Sequence, residues 1–254
     1  MLPEQRKRNI VRLVTERGGC SVAELAEHEN VSEATVRRDL RELTDEGLVE
    51  RSHGGAVPVT NVGREQSYDQ REVQNLAAKT AIAERAVEEI HEGQVVFFDS
   101  GTTTVQVAKA APSDGSFLPA ANSPLLALEL ETTDTEVKVT GGSLRHRTKA
   151  LVGPTAEAFM DRMSFDLLFL GTNGIDTEGL TTPDEDEARM KELMIERSER
   201  VVLVTDSTKF GERALVQFGE LADVDLLVTD AEPTAPLATA LGRANVRTAV
   251  VEGE

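Results

Sequence analysis

From residue 94 onward, short apolar runs alternate with helix-like stretches, and this alternation restricts the fold more than any other feature. Gln94-Val95-Val96-Phe97-Phe98-Asp99 has the length and composition of a buried strand. The runs 136–140, 166–170, 200–205, 225–229 and 247–251 repeat the pattern, and 117–121 adds a shorter one. Strands separated by helices pair side by side in parallel and need cover on both faces. The region is therefore expected to be α/β, a parallel or mixed sheet flanked by helices. Ala77 to Ile90 reads as the first of those helices. With aromatics at 4% and no Trp, the core must be aliphatic.

The first sixty residues follow a different rule. Ile10, Leu13 and Val14 recur at helical spacing up to Gly18-Gly19, which stop the helix. Ser21-Val22-Ala23-Glu24 has capping-box spacing and opens a second helix. After a short break at 28–31, Ser32 is the N-cap of a third, running to about Glu46 with Gly47 as its stop. At about 100° per residue, Val36, Leu40 and Leu43 fall within an arc of about 60°, while Arg37, Arg38 and Arg41 occupy the other side. Two helices joined by a short turn, the second with an arginine-rich outer face, form a helix-turn-helix pattern. Short runs around Gly54-Gly55 then read as a hairpin, with Arg51 and His53 near its tip. His53 has no Cys or His at ligand spacing, so it reads as a phosphate or solvent contact, and no metal site or cofactor is expected. The polar stretch 59–74 reads as a linker. The expected division is 1–58, a linker over 59–74, and 75–254.

The expected chemistry lies at strand ends. Asp99-Ser100-Gly101-Thr102-Thr103-Thr104 follows the strand at 94–98 and precedes an apolar helix. Ligands of open α/β folds sit beyond the carboxyl ends of strands. Free N–H groups at a helix start and nearby hydroxyls suit a phosphate, although a well-capped turn would use the same residues. Similar loops recur at Asn122-Ser123, Gly141-Gly142, Gly171 to Gly174 and Asp206 to Lys209, and they could converge on one crevice. There Lys209 would offer a point charge to a phosphate, while Asp99 and Asp206 would accept hydroxyls or simply orient their loops. Glu185 and Lys191 belong to the same expected set. They lie on a helix, opening near residue 184, whose acidic first turn suits a helix N-terminus. Its Met190, Leu193 and Met194 stripe reads as core.

The residues resemble a known family. Arg6, Ile10 and Val14, the stretch Ser32-x-x-Thr35-Val36-Arg37-Arg38-Asp39-Leu40 and the Arg51-x-His53-Gly54-Gly55-Ala56 hairpin look like the N-terminal pattern of DeoR-family transcriptional regulators. Phe98 to Thr103, Thr140-Gly141-Gly142, Leu151 to Pro154, Gly179 to Pro183 and Asp206 to Gly211 resemble that family's sensor domain, in the expected order. One departure is Pro119-Ala120-Ala121 before Asn122-Ser123, where the family has a β-branched run before Thr-Asn-Ser. The resemblance implies a winged helix-turn-helix domain followed by a sensor similar in fold to ribose-5-phosphate isomerase and CoA transferases. It implies a repressor of sugar or glycerol catabolic genes, released from DNA by a phosphorylated metabolite, and a homo-oligomer.

The leading expectation is thus a regulator that binds double-stranded operator DNA. The helix opening at Ser32 would enter the major groove. Ser32, Glu33, Thr35, Arg37, Arg38 and Arg41 are its candidate contacts, with Ser21, Arg51 and His53 on the backbone. The alternative is a sugar-phosphate isomerase with a DNA-binding appendage, in which Asp99, Glu185 or Asp206 would serve as the base. Charge argues against DNA at first sight. The chain carries 45 Asp and Glu against 27 Lys and Arg, a net −18, with seven of the cations lysines. That composition resembles proteins of salt-loaded cytoplasms. Residues 1–57, however, hold nine Lys and Arg against eleven Asp and Glu, so the first domain is close to neutral. No apolar run approaches the roughly 18 residues of a membrane span, and the N-terminus lacks a signal-peptide stretch. A cytoplasmic protein with no membrane partner is expected.

Overall fold

A computed structural model describes residues 3–45, 48–52, 54–57, 66–131 and 136–251. The chain divides into two compact units, residues 1–66 and 67–254.

The first unit runs α1 (Pro3–Glu16), β1 (Cys20–Ser21), α2 (Val22–Glu29), α3 (Glu33–Asp45), β2 (Glu50–Ser52) and β3 (Gly55–Val57). Ser21 and Glu24 form the capping box that their spacing predicts: the Ser21 Oγ accepts from Glu24 N at 3.2 Å, and Ser21 N donates to the Glu24 carboxylate at 2.7 Å. Ser32 Oγ likewise accepts from Thr35 N at 3.2 Å at the start of α3. Ile10, Val14, Leu25, Val36, Leu40 and Leu43 are buried together, so the apolar arc of α3 faces the other two helices. Asp39, on the buried side of α3, takes a two-point contact from Arg6 of α1 at 2.6 and 3.2 Å. The hairpin β2–β3 gains a third antiparallel strand, β1, in the order β1-β3-β2. Two residues are too short to show alternation, which is why the sequence pattern missed it. Glu46, Gly47, His53 and residues 58–65 lie outside the described residues.

The second unit begins inside the expected linker. Residues 68–73 form a helix, α4 (Tyr68–Val73), with Tyr68 buried in the aliphatic core. There follow α5 (Leu76–Ala86), β4 (Val95–Phe98), α6 (Thr102–Ala110), β5 (Leu118–Ala121), α7 (Pro124–Leu130), β6 (Lys138–Val139), β7 (Ser143–Leu144), β8 (Leu151–Val152) and α8 (Pro154–Met160). The chain ends with β9 (Leu167–Leu170), β10 (Gly174–Asp176), β11 (Gly179–Thr182), α9 (Glu185–Glu196), β12 (Val201–Val204), β13 (Val216–Gly219), β14 (Leu226–Thr229), α10 (Ala235–Arg243) and β15 (Arg247–Val250).

Seven of these strands make one parallel sheet, in the order β15-β14-β12-β9-β4-β5-β6. Alternate residues of the five central strands, β14, β12, β9, β4 and β5, enter opposite layers. Phe97, Leu168, Leu170 and Leu203 pack with residues of α8, α9 and α10, while Phe98, Phe169, Val202 and Val204 pack with residues of α5, α6 and α7. Strands buried on both faces read as unbroken apolar runs, which is what made them visible in the sequence. β10, β11 and β13 form a small antiparallel sheet, and β7 pairs with β8. Thr181 and Thr182, whose sequence reads as a loop leading into the helix near 184, belong to β11.

Strand order determines where a ligand can sit. From β4 the chain moves to β5 and β6 on one side; from β9 it moves to β12, β14 and β15 on the other. β4 and β9 are neighbours, and the direction reverses between them. Connections leaving in opposite directions open a crevice at their carboxyl ends.

Candidate functional site

The crevice at that reversal is a cleft lined by the ends of three strands. After β4 come Asp99, Ser100, Gly101, Thr102 and Thr103; after β9, Gly171, Thr172 and Asn173; after β12, Thr205, Asp206, Thr208 and Lys209. Asp99 is its centre. One carboxylate oxygen, Oδ2, accepts from Gly171 N at 3.0 Å and from Lys191 Nζ of α9. Lys191 Nζ also donates to Gly171 O at 2.9 Å and stands 5.3 Å from the Phe218 ring centroid. This pair binds the loops after β4 and β9 together through a helix that covers the sheet.

The other wall comes from residues that no sequence motif marks. Arg71 and Gln74, at the end of α4, and Asn75 and Lys79, at the start of α5, line the cleft. Lys79 is buried, and its ammonium donates to Arg71 O. Burial lowers Lys79 to about 8, with the Asp206 carboxylate acting in the opposite sense. Four cations, Arg71, Lys79, Lys191 and Lys209, thus face three carboxylates, Asp99, Asp206 and Glu187. Asp99 is engaged through Oδ2 alone, whereas Asp206 and Glu187 are held by their neighbours. Asp206 Oδ1 accepts from Asn75 Nδ2 at 3.2 Å and from Thr208, and Glu187 Oε1 accepts from Arg145 at 2.5 Å and from Thr148. Asp206 orients its loop, one of the two roles the sequence left open.

Several residues expected at the site stand elsewhere. Thr104 is buried, and its hydroxyl donates to backbone carbonyls of the turn, Asp99 O and, at 2.6 Å, Gly101 O, so it builds the turn and does not line the cleft. Gly141 and Gly142 follow β6, at the far edge of the sheet. A Cβ on Gly142 would lie 2.5 Å from Val152 O, so this glycine serves the packing against β8. A Cβ on Gly174 would lie 2.3 Å from Glu212 O, and this residue too belongs to backbone packing. Glu185 is exposed on the first turn of α9; the buried carboxylate of that turn is Glu187. Asn122 is buried after β5 but is not among the lining residues.

The first unit presents the arginine face of α3. Arg37, Arg38 and Arg41 are exposed, as is Arg51 on β2. Arg37 is tied to Glu33 one turn earlier at 2.6 Å. Among the described residues, Arg38 and Arg41 have no ion-pair partner. Thr35, half-buried, shares a 3.0 Å hydroxyl contact with Ser32. His53 is outside the described residues. Among the described residues no group of three or more His, Cys, Asp or Glu side chains is placed to hold a metal, and no helix is long and apolar enough to cross a membrane.

Residues 6–62 match the DeoR-like helix-turn-helix domain, and residues 74–231 match the DeoR C terminal sensor domain. The chain is 65% identical over 231 residues to the HTH-type transcriptional regulator GlpR of Haloferax volcanii, covering 91% of each chain. It is 36% identical over 236 residues to the glycerol-3-phosphate regulon repressor of Escherichia coli, covering 92% of this chain and 93% of that one. Among solved structures it resembles ribose 5-phosphate isomerase A from Methanocaldococcus jannaschii over 54% of this chain and 55% of that one. The identity there is 13% and the TM-score 0.39, a likeness too weak to bear on function.

Proposed function

The chain belongs to the DeoR family of transcriptional regulators, and from that premise we propose that it represses sugar or glycerol catabolic genes and leaves its operator when a phosphorylated metabolite fills the cleft. One observation carries this reading. A unit with an exposed arginine helix and a cleft with cations from four places in the sequence occur in a single chain, and relatives matched along nine-tenths of it are named regulators. The enzyme alternative is set aside because those relatives align with this chain along nine-tenths of its length, and they are named for regulation.

α3 is the reading helix in this proposal. Arg38 and Arg41, with no internal partner, contact DNA first, and Arg37 does so when it leaves Glu33. Ser21, Ser32 and Arg51 position the phosphate backbone; a capping hydroxyl can still donate to a phosphate while it accepts from its own helix. Asp99, Ser100, Gly101, Thr102, Thr103, Gly171, Lys191, Asp206 and Lys209 remain the proposed effector set from the sequence. Arg71, Gln74 and Lys79 join it. The sensing domain then starts at Ser67, eight residues before the boundary that the polar stretch suggested. The acidic composition and the Haloferax volcanii relative support a salt-rich cytoplasm as its setting, and the family resemblance supports a homo-oligomer.

The test starts with duplexes selected from a random pool by the full chain, which give an operator sequence. Arg38→Ala and Arg41→Ala are each expected to weaken that complex by roughly tenfold, the low end of one lost arginine contact. Glycerol and sugar phosphates are then titrated onto the complex. Undiminished binding in both variants would remove α3 from the role, and operator affinity indifferent to every phosphate tried would remove the effector.

A further inference from the structure

Among the described residues, six buried side-chain nitrogen or oxygen atoms have no hydrogen-bond partner in the protein, and four of them belong to residues of this one cleft. Three are donors on α4 and the residue after it: Arg71 Nε, Arg71 Nη2 and Gln74 Nε2. The fourth is an acceptor, Asp99 Oδ1, on a side chain that is 1% exposed. Buried groups of this kind are costly unless something completes them. The two sets are also chemically opposite. A guanidinium edge, an amide N–H and the neighbouring Lys79 ammonium call for an anion with several acceptor oxygens. An ionised carboxylate oxygen calls for a hydroxyl hydrogen.

We propose that the effector lies with its phosphate on Arg71 and Gln74 of the α4 segment and donates a hydroxyl to Asp99 Oδ1. This rests on the cleft being the effector site. It differs from a phosphate seated solely on the Gly101–Thr104 turn, whose Thr104 hydroxyl and Gly101 N–H are already bonded within the loop. The ligand class is a phosphorylated polyol or sugar, not a free inorganic anion and not a neutral sugar. The placement also gives ligand capture a route to regulation. α4 is the first helix of the sensing unit, and the chain that enters it comes directly from the DNA-binding unit.

Full-length protein is titrated with glycerol 3-phosphate, a panel of hexose phosphates, n-propyl phosphate and glycerol, read by calorimetry and thermal shift. Wild type is expected to bind at least one polyol or sugar phosphate more tightly than either n-propyl phosphate or glycerol. Arg71→Leu and Gln74→Leu should each weaken that ligand by roughly tenfold or more, the loss expected for a hydrogen bond to a charged group. Arg71→Leu should leave the unliganded melting temperature unchanged or higher, because the guanidinium edge it removes is unpaired. A scaffolding role for Arg71 would lower it instead. If Arg71→Leu does unfold the protein, Gln74→Leu decides alone. A phosphorylated ligand that binds both variants as it binds wild type overturns the placement and leaves the cleft reading standing. n-Propyl phosphate binding as tightly as the best polyol phosphate overturns the Asp99 contact. Failure of every phosphorylated compound to bind wild type overturns the cleft reading, and the placement with it.

Discussion

Lys79 is expected to set the upper pH limit of anion binding in the proposed effector cleft. Burial lowers it to about 8; Asp206 and Glu72 act to raise it, and Lys209 and Arg71 to lower it further. A phosphate monoester loses its second proton near about 6, so the doubly charged ligand meets a protonated Lys79 between about 6 and about 8. Affinity for a phosphorylated ligand is expected to fall as pH rises through about 8, and Lys79→Met should lack that limb while binding more weakly throughout. Calorimetry across the range checks both, and an unchanged upper limb in the variant would assign it to another group. The stability consequence has the opposite sign. The unfolded chain holds the Lys79 proton up to its ordinary 10.5. Between about 8 and 10.5 the unfolded state therefore binds more protons, and this residue's contribution to stability rises with pH.

At the scale of elements, α3 and α4 show what a sequence can and cannot disclose. α3 is thirteen residues long, and its apolar arc repeats often enough to locate it, its buried face and its arginine face. Its Glu33–Arg37 pair can also be inferred from spacing, and it has a consequence. Both side chains are about half exposed, so the pair contributes about 0.3–0.5 kcal/mol at most. Glu33→Ala should hardly change the melting temperature. It should tighten DNA binding and steepen its salt dependence by freeing Arg37 and removing a like charge from the phosphates. Fluorescence anisotropy at several salt concentrations reads this, and looser binding would make Glu33 a base-reading residue instead. α4, by contrast, has six residues, too few for any period to show. It is ordered by its surroundings: Tyr68 fills the core, and Tyr68 N donates to Arg147 O at 2.7 Å. Its polar remainder reads as a linker until that packing is seen, which hides Arg71 and Gln74; Lys79 lies on α5, a helix the pattern does show, but periodicity alone does not say that it meets the cleft. The loops after β4, β9 and β12 were recognisable because small polar residues follow an apolar run. Local pattern could not say which loops share the reversal point. Gly141 and Asn122 carry the same signature as Gly171, yet β5 and β6 lie on the far side of β4.

For the whole molecule, the net charge of −18 acts on folding and on DNA binding in opposite ways. Most of the excess lies beyond residue 57, on the second unit, where like charges repel in the compact state. Between about 0.1 M and about 1 M salt the screening length falls from about 10 Å to about 3 Å, so this repulsion is progressively removed. The melting temperature is expected to climb over that range. Most DNA-binding proteins lose affinity steeply over the same range, because each neutralised phosphate releases a counterion. Here the first unit is near neutral; of its exposed cations without an ion pair among the described residues (Arg8, Arg17, Arg38, Arg41 and Arg51), three, Arg38, Arg41 and Arg51, lie on the α3 face and hairpin proposed to meet DNA. About three phosphate contacts per protomer correspond to a slope near −3 in log affinity against log salt. A slope near −10 would mean a broad basic surface that neither the sequence nor the described residues contain. A shallow slope together with a rising melting temperature yields a protein whose occupancy on DNA, when folding is marginal at low salt, passes through a maximum as salt increases. A composition that first argues against nucleic acid would then define the salt range in which the complex forms.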